Sequence, residues 1–328
     1  MPVAKGQTSH NGKTPHGAEF LKEFASLGAR GMKEKYGLSD VRGIYEKRRR
    51  AEEATGTLVC APSAGGFALT LNQHPSAVNL NIKSGVVLIA SDAHYWPGII
   101  STAHRAFVKF CQEMDPVAVI MNGDAYDGAR VSRWPDGSWA DAAAKPSVIS
   151  ELTATMYALE EIHKASPKAR HIWPLGNHDA RFESKLLQAA PEYAQVHGVK
   201  LKDHFPEWEP CWAALINDDT VVKHRFKGGM HAPQNNTLWA GRSIFTGHLH
   251  SMKVQPITDY NGTRYGVDTG TLADPYGPQF ANYCELNAVS WRSGFIVATW
   301  HKGELLWPEV VHVSGPSKYE WRGKVYTI

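Results

Sequence analysis

Only four cysteines occur in 328 residues (Cys60, Cys111, Cys211 and Cys284), and none forms a C-x-x-C pair. That scarcity argues against a disulfide framework or a zinc ribbon, and makes a reducing cytoplasm the expected setting. Long apolar runs are missing too. No stretch approaches the roughly 20 apolar residues that span a bilayer, so no membrane partner is expected. The opening MPVAKGQTSHNGKTPHG lacks the apolar centre of a secretory signal. Net charge is also small, at +3, and it is unevenly placed. The first 55 residues hold 11 Lys/Arg against 7 Asp/Glu, whereas the remainder hold 24 against 25. The whole chain is 43% hydrophobic and 20% charged, the make-up of a soluble globular chain with a sizeable core.

Three regions follow from the patterning. Residues 1–55 read as a loose polar tail followed by helical stretches, AEFLKEFASLG, ARGMKEKYG and LSDVRGIYEKRRRAEE, broken at Gly28 and Gly37. Ser39 is the expected N-cap of the third. A Gly turn before a helix ending in KRRR resembles a helix-turn-helix unit, which makes DNA or RNA a candidate partner. Residues 56–84 read as a connector or β extension, with FALTLN and VNLNIK as candidate edge strands. From Gly85 to the end, apolar runs each stop at polar residues: GVVLIASDAH, PVAVIMNGDAYDG, HIWPLGNHD, TVVKHRF and SIFTGHLHS. Long helical stretches separate the early ones, which predicts an α/β sheet with buried strands. Beyond residue 250 the pattern becomes all-β, with hairpin turns expected at Asn261-Gly262 and Lys302-Gly303.

The strand ends carry the chemistry. Asp92 and His94 stand at i and i+2, as do His248 and His250, so each pair projects to one side of an extended segment. Asp124 follows the second run, Asn177-His178-Asp179 the third, and His224 the fourth. Carboxyl ends of parallel strands form a common rim where ligands bind, so these groups are expected in one pocket. Two Asp, an Asn and several His, without a thiolate, suit Mn, Fe, Zn or Ni. The set is too rich for one tetrahedral ion and fits two cations sharing Asp124.

In this order, D-x-H, G-D-x-x-D, G-N-H-D, a strand-end H and G-H-x-H resemble the calcineurin-like metallophosphoesterase superfamily over residues 85–252. The texture around SDAHYWPG, GNHDARFE and TGHLHS is similar to phosphoesterases of bacteriophages, which would place the chain in a host cytoplasm. The resemblance implies an α/β fold, a four-layer αββα sandwich, over residues 85–328. It assigns Asp92, His94 and His250 to one cation, Asn177, His224 and His248 to the other, and Asp124 to both. Manganese is the favoured metal. His178 would protonate the leaving oxygen, and Asp179 would orient its ring. The implied reaction is attack by a hydroxide bridging the two ions.

Nucleic acid or nucleotides lead as the phosphodiester substrate, on the strength of the basic N-terminus and the motif-adjacent arginines. The alternatives are a phosphomonoesterase or protein phosphatase, and a nucleic-acid-binding scaffold. Arg181, Arg225, Arg130 and Arg133 stand beside the motif loops and are candidate phosphate-binding residues. His231, seven residues past His224, is the alternative to His224 as ligand; with His224 in that place it is a candidate pocket-rim residue, with Asn235 and Asn236 nearby. Asp127 is read either as fixing its loop or as supporting a neighbouring ligand. Trp134 and Trp139 are candidate substrate contacts, whereas His163, His301 and His312 are expected to be structural or exposed.

Overall fold

The computed structural model describes residues 14–57, 59, 76–133, 138–284 and 287–328. The chain divides into two units, residues 1–73 and 74–328.

In the first unit, α1 (Gly17–Tyr36) kinks at Gly28 and ends at Gly37, whose left-handed φ of 59° closes the helix. The second helix, α2 (Arg42–Thr55), starts after Val41. Ser39 is therefore not its N-cap; Asp40 Oδ1 instead accepts from the Arg42 amide at 2.9 Å. Phe20, Phe24, Met32 and Ile44 form the small core between the two helices. Much of the basic run is engaged locally. Arg48 and Arg49 pair with Glu52 and Glu53, Arg50 pairs with Glu46, and Lys47 binds Thr14. FALTLN lies outside the described residues.

The second unit opens with β1 (Ala77–Leu80), drawn from VNLNIK. It begins at residue 74, ahead of the Gly85 expected from patterning, because β1 pairs in parallel with a strand some 136 residues later. Next come β2 (Gly85–Ala90), α3 (Thr102–Met114), β3 (Ala118–Met121), α4 (Trp139–Ala144), α5 (Val148–Ala165) and β4 (Arg170–Pro174). Then follow α6 (Asp179–Ala189), α7 (Leu201–His204), β5 (Glu209–Cys211), β6 (Ala213–Ile216) and β7 (Thr220–Val222). The chain continues through α8 (Ala232–Ala240), β8 (Ser243–Thr246), the hairpin β9 (Met252–Asp259) and β10 (Gly262–Thr269), and α9 (Ala281–Cys284). It ends in β11 (Gly294–His301), β12 (Glu304–Leu305), β13 (Glu309–Gly315), β14 (Lys318–Trp321) and β15 (Lys324–Thr327).

The strands form two sheets, one ordered β1-β6-β7-β8-β10-β9 and the other β15-β14-β13-β11-β2-β3-β4-β5 with β12 on β11. Strand alternation explains how they stack. Val87 and Ile89 of β2 face the first sheet, where they meet Ile216, Val222, Phe245 and Val267. Leu88 and Ala90 point the other way, to Phe107 and Phe110 of α3 and Leu159 of α5. A strand apolar on both faces must be covered on both faces. On the outer side of the first sheet, α8 lies so close to β10 that a β-carbon at Gly266 would fall 2.1 Å from the Pro233 carbonyl. The result is an αββα sandwich. The five motif-bearing strands are split between its sheets: β2, β3 and β4 in one, β7 and β8 in the other, parallel within each.

Candidate metal centre

The rim that carries the motifs is thus made by the ends of two sheets. The chain turns sharply there. Asp92, His94, Asp124, His248 and His250 all take left-handed φ, between 41° and 73°. Such a backbone costs non-glycine residues on the order of 1–3 kcal/mol each and persists only where surroundings impose it. Close approach does the imposing. A β-carbon on Gly176 would sit 2.0 Å from Asp124 Oδ1, and one on Gly247 would sit 2.6 Å from Asp92 Oδ2. Both motif glycines leave room for the Asp124 and Asp92 carboxylates to come near.

Three groups of donor atoms result, each within 4.8 Å: Asp92, His94 and His250; Asp124, His224 and His248; and His94, Asp127 and His178. His250 Nε2 lies 3.0 Å from Asp92 Oδ1. His224 Nε2 lies 3.0 Å from Asp124 Oδ2 and 3.9 Å from Asp92 Oδ1, which joins the first two groups into one cage. Asp92 and Asp124 are fully buried.

Two such carboxylates side by side require compensating positive charge. Burial raises both pKa values, yet the neighbouring histidines outweigh it and hold both carboxyls below the usual carboxylate range. His224 carries part of that compensation. Burial opposes its charge, but the attraction of Asp124 and then Asp92 pushes it up to about 10. Its Nδ1 donates to the Asn122 carbonyl at 2.7 Å, which aims Nε2 at the carboxylates.

The fit to cations rests on atoms without partners. His94 Nε2, His224 Nε2 and Asn177 Oδ1 are buried and accept or donate no hydrogen bond. Buried polar atoms in proteins are nearly always bonded, and three of the orphans among the described residues fall at positions expected from the sequence to hold cations. Nitrogen and oxygen donors without sulfur fit first-row divalent cations.

The second ring nitrogens of His94 and His224 are held from outside, whereas His250 Nδ1 has no partner. His94 Nδ1 meets Asp127 Oδ1 at 2.7 Å, and the same oxygen meets His178 Nδ1 at 2.9 Å. On its other side, His178 Nε2 accepts from Arg181 Nη2 at 3.0 Å, and lies 4.0 Å from Asp124 Oδ2. Burial lowers the His178 pKa, but the charges of Asp124 and Asp127 prevail and raise it above 6.5.

Here the structure corrects an expectation. Asp179 does not touch the His178 ring. Its carboxylate accepts from the amides of Asp124, Tyr126 and Gly176 at 2.8, 3.0 and 2.8 Å, and from Trp173 Nε1 at 3.1 Å. As the first residue of α6, it welds the GD loop to the GNHD loop, and Asp127 takes the orienting position instead.

Among the candidate phosphate contacts, Arg181 lies in the site and also donates to the Asp127 carbonyl at 3.0 Å. Arg225 is exposed, next to His224 in the chain. Arg130 is turned elsewhere: it donates to the carbonyls of Ala142, Lys145 and Pro146, closing the loop around α4. Arg133 is exposed just before residues 134–137, and Trp134 falls outside the described residues. Trp139 is exposed at the start of α4. His231 is exposed at the start of α8, and Asn235 is exposed beside it. Asn236 is buried, clamping the Lys227 backbone. His163 and His171 meet edge to face, at a centroid distance of 4.7 Å, and belong to none of the three donor groups. Phe280 and Trp291, unremarked in the sequence, wall the His250 ring at centroid distances of 5.4 and 4.4 Å. Neither belongs to a motif, so only the fold could reveal them.

No protein-family model and no curated protein matches this chain. Among solved structures, it is similar to wild-type Vps29 complexed with Zn²⁺ from Entamoeba histolytica, at 13% identity and TM-score 0.36, covering 74% of this chain and 97% of that one. It is similar to a protein serine/threonine phosphatase from Saccharomyces cerevisiae at 16% identity and TM-score 0.34, covering 73% and 84%. It is also similar to YfcE, a phosphoesterase from E. coli, at 14% identity and TM-score 0.31, covering 68% and 97%.

Proposed function

We propose that this chain is a calcineurin-like metallophosphoesterase that holds two divalent cations, manganese foremost, and hydrolyses phosphodiesters of nucleic acids or nucleotides. The observation that carries the reading is the single cage in which His224 Nε2 stands 3.0 Å from Asp124 and 3.9 Å from Asp92, with unpartnered donors around it. Asp92, His94 and His250 would hold one cation, Asn177, His224 and His248 the other, with Asp124 between them. Bound divalent cations supply charge for a phosphoryl oxygen and make water acidic enough to attack at neutral pH.

The protein does the rest. Asp127 fixes the rings of His94 and His178 together through one oxygen. His178, kept protonatable by Asp124 and Asp127, is placed to give a proton from Nε2 to the departing oxygen. Arg181 donates to that nitrogen in the present arrangement, and a substrate phosphate oxygen draws the guanidinium onto itself and frees the position. Asp179 keeps the two loops in register throughout.

The test is hydrolysis of bis(p-nitrophenyl) phosphate and p-nitrophenyl phosphate by the purified full chain with and without Mn²⁺, with Asp124→Ala as the control. Metal-dependent cleavage that favours the diester supports the reading. A preference for the monoester points to a phosphatase on the same centre, and no metal-dependent cleavage of either sinks it.

A further inference from the structure

The 39 residues 220–258 contain no aspartate or glutamate, yet hold Lys223, Arg225, Lys227, Arg242 and Lys253. Lys223 and Arg225 flank the proposed ligand His224 in the chain, and Lys227 follows it by three residues. Two of these cations lie on exposed aromatic rings. Lys227 Nζ is 3.8 Å from the centroid of Trp239, and Lys223 Nζ is 5.2 Å from that of Phe226. Trp239 is 70% exposed and Phe226 44%. Among the described residues, Lys223, Arg225 and Lys227 make no ion pair with a carboxylate.

The platform is built rather than loose. Asn236, buried in α8, accepts from the Lys227 amide at 2.9 Å and donates to its carbonyl at 3.3 Å. Lys253 Nζ ties down the Met230 carbonyl at 3.0 Å. Phe226 follows the ligand His224 by two residues, a reach of at most about 7 Å of chain. Phe226 and Lys227 are therefore within reach of a strand whose phosphate sat in the cage.

We propose that the loop 223–231 and the exposed side of α8 bind single-stranded polynucleotide, with bases stacked on Phe226 and Trp239 and neighbouring phosphates on Lys223, Arg225 and Lys227. Charge complementarity selects a polyanion, and flat exposed rings spaced among the cations select one that carries bases. Alternating cations and aromatic rings is the arrangement by which single strands are gripped without sequence readout. A paired duplex offers its bases only at the edges and cannot stack on these rings. The inference rests on the phosphodiesterase reading for its biological sense but is measured separately from it.

The experiment measures binding of a fluorescein-labelled oligodeoxyuridylate to the full chain by anisotropy, in EDTA so that the probe survives. It is repeated with the matching oligouridylate, an abasic oligomer and a duplex of equal length. The variants are Trp239→Ala and Lys227→Gln, both at exposed positions. The single strand is expected to bind, with both sugars alike. Trp239→Ala weakens it about fivefold or more, and Lys227→Gln lowers the salt slope by about 0.7. Hydrolysis of bis(p-nitrophenyl) phosphate is unchanged in both variants.

Equal affinity for the abasic oligomer, tighter binding of the duplex, a preference above about tenfold for one sugar, or indifference to Trp239→Ala would each overturn the proposal. Failure of the small diester to hydrolyse would sink the enzymatic reading while leaving the binding result to stand on its own.

Discussion

His178 Nδ1 lies 2.9 Å from Oδ1 of Asp127. Because His94 reaches the same oxygen, one carboxylate steers both a ligand of the proposed metal centre and the proposed acid. Burial raises the Asp127 pKa, but the hydrogen bonds from His178 and His94 overcome it and keep the group ionised. Replacing it in Asp127→Asn removes a negative charge that holds the His178 pKa above 6.5. The protonated ring then gives way at lower pH. The expected outcome is a loss of about 10- to 100-fold in kcat/KM, with the alkaline limb of its pH profile moved to lower pH. An unshifted limb would show that Asp127 has no hold on the acid.

Gly176 has no room for a side chain, since a β-carbon would lie 2.0 Å from Asp124 Oδ1 and 2.6 Å from the Asp124 amide nitrogen. Gly176→Ala must push the shared carboxylate out of the cage, and the metal content per chain should fall below two. Gly315→Ala, with nothing within 4 Å of its β-carbon, is the matched control and should bind metal normally. Elemental analysis after dialysis distinguishes the two.

Glu151 is fully buried on α5. Its Oε1 accepts from the Ala129 amide at 3.1 Å, and its Oε2 has no partner. Burial pushes its carboxyl up to about 7 from 4.5, against the pull of that amide. The folded chain therefore keeps a proton that the unfolded chain releases. The stability gained is complete below about pH 4.5 and is lost as pH rises through about 7. Glu151→Gln, neutral at every pH, should lose less stability than wild type between pH 5 and pH 8, by on the order of 3 kcal/mol. Parallel curves of denaturant midpoint against pH would refute this.

Cation removal should also be visible in stability. In the proposed centre the paired charges of Asp92 and Asp124 would be compensated by metal, so EDTA is expected to lower Tm, and added Mn²⁺ to restore it as concentration rises. In Asp124→Asn the Mn²⁺ response should largely vanish. A Tm insensitive to both chelator and metal would contradict the assignment of these residues.

Much of this was legible in the sequence, for identifiable reasons. The runs GVVLIA, VAVIM, HIWPL, TVV and SIFT each form a strand because they are short, apolar and closed by a turn residue. Ser101 and Ser147 cap the two long helices, whereas the one cap expected from the sequence, Ser39, does not cap α2. Other features depend on distant partners. That the five strands belong to two sheets follows from β6 turning back on β7 and pairing with β1, which no local pattern encodes. Chain adjacency misled the reading of Asp179. Its neighbour His178 points into the cage, but helix α6 begins at Asp179 and turns that carboxylate inward to the loop amides. Arg130 stands beside a motif in sequence, yet the carbonyls at the end of α4 claim its guanidinium. Left-handed φ at Asp92, His94, Asp124, His248 and His250 has no signature in residues that are not glycine.

Anomalous diffraction from crystals grown with Mn²⁺ tests the central claim most directly. Two peaks about 3.5–4 Å apart are predicted, one bounded by Asp92, His94 and His250, the other by Asn177, His224 and His248, with Asp124 between them. A single peak, or peaks away from these side chains, would contradict it.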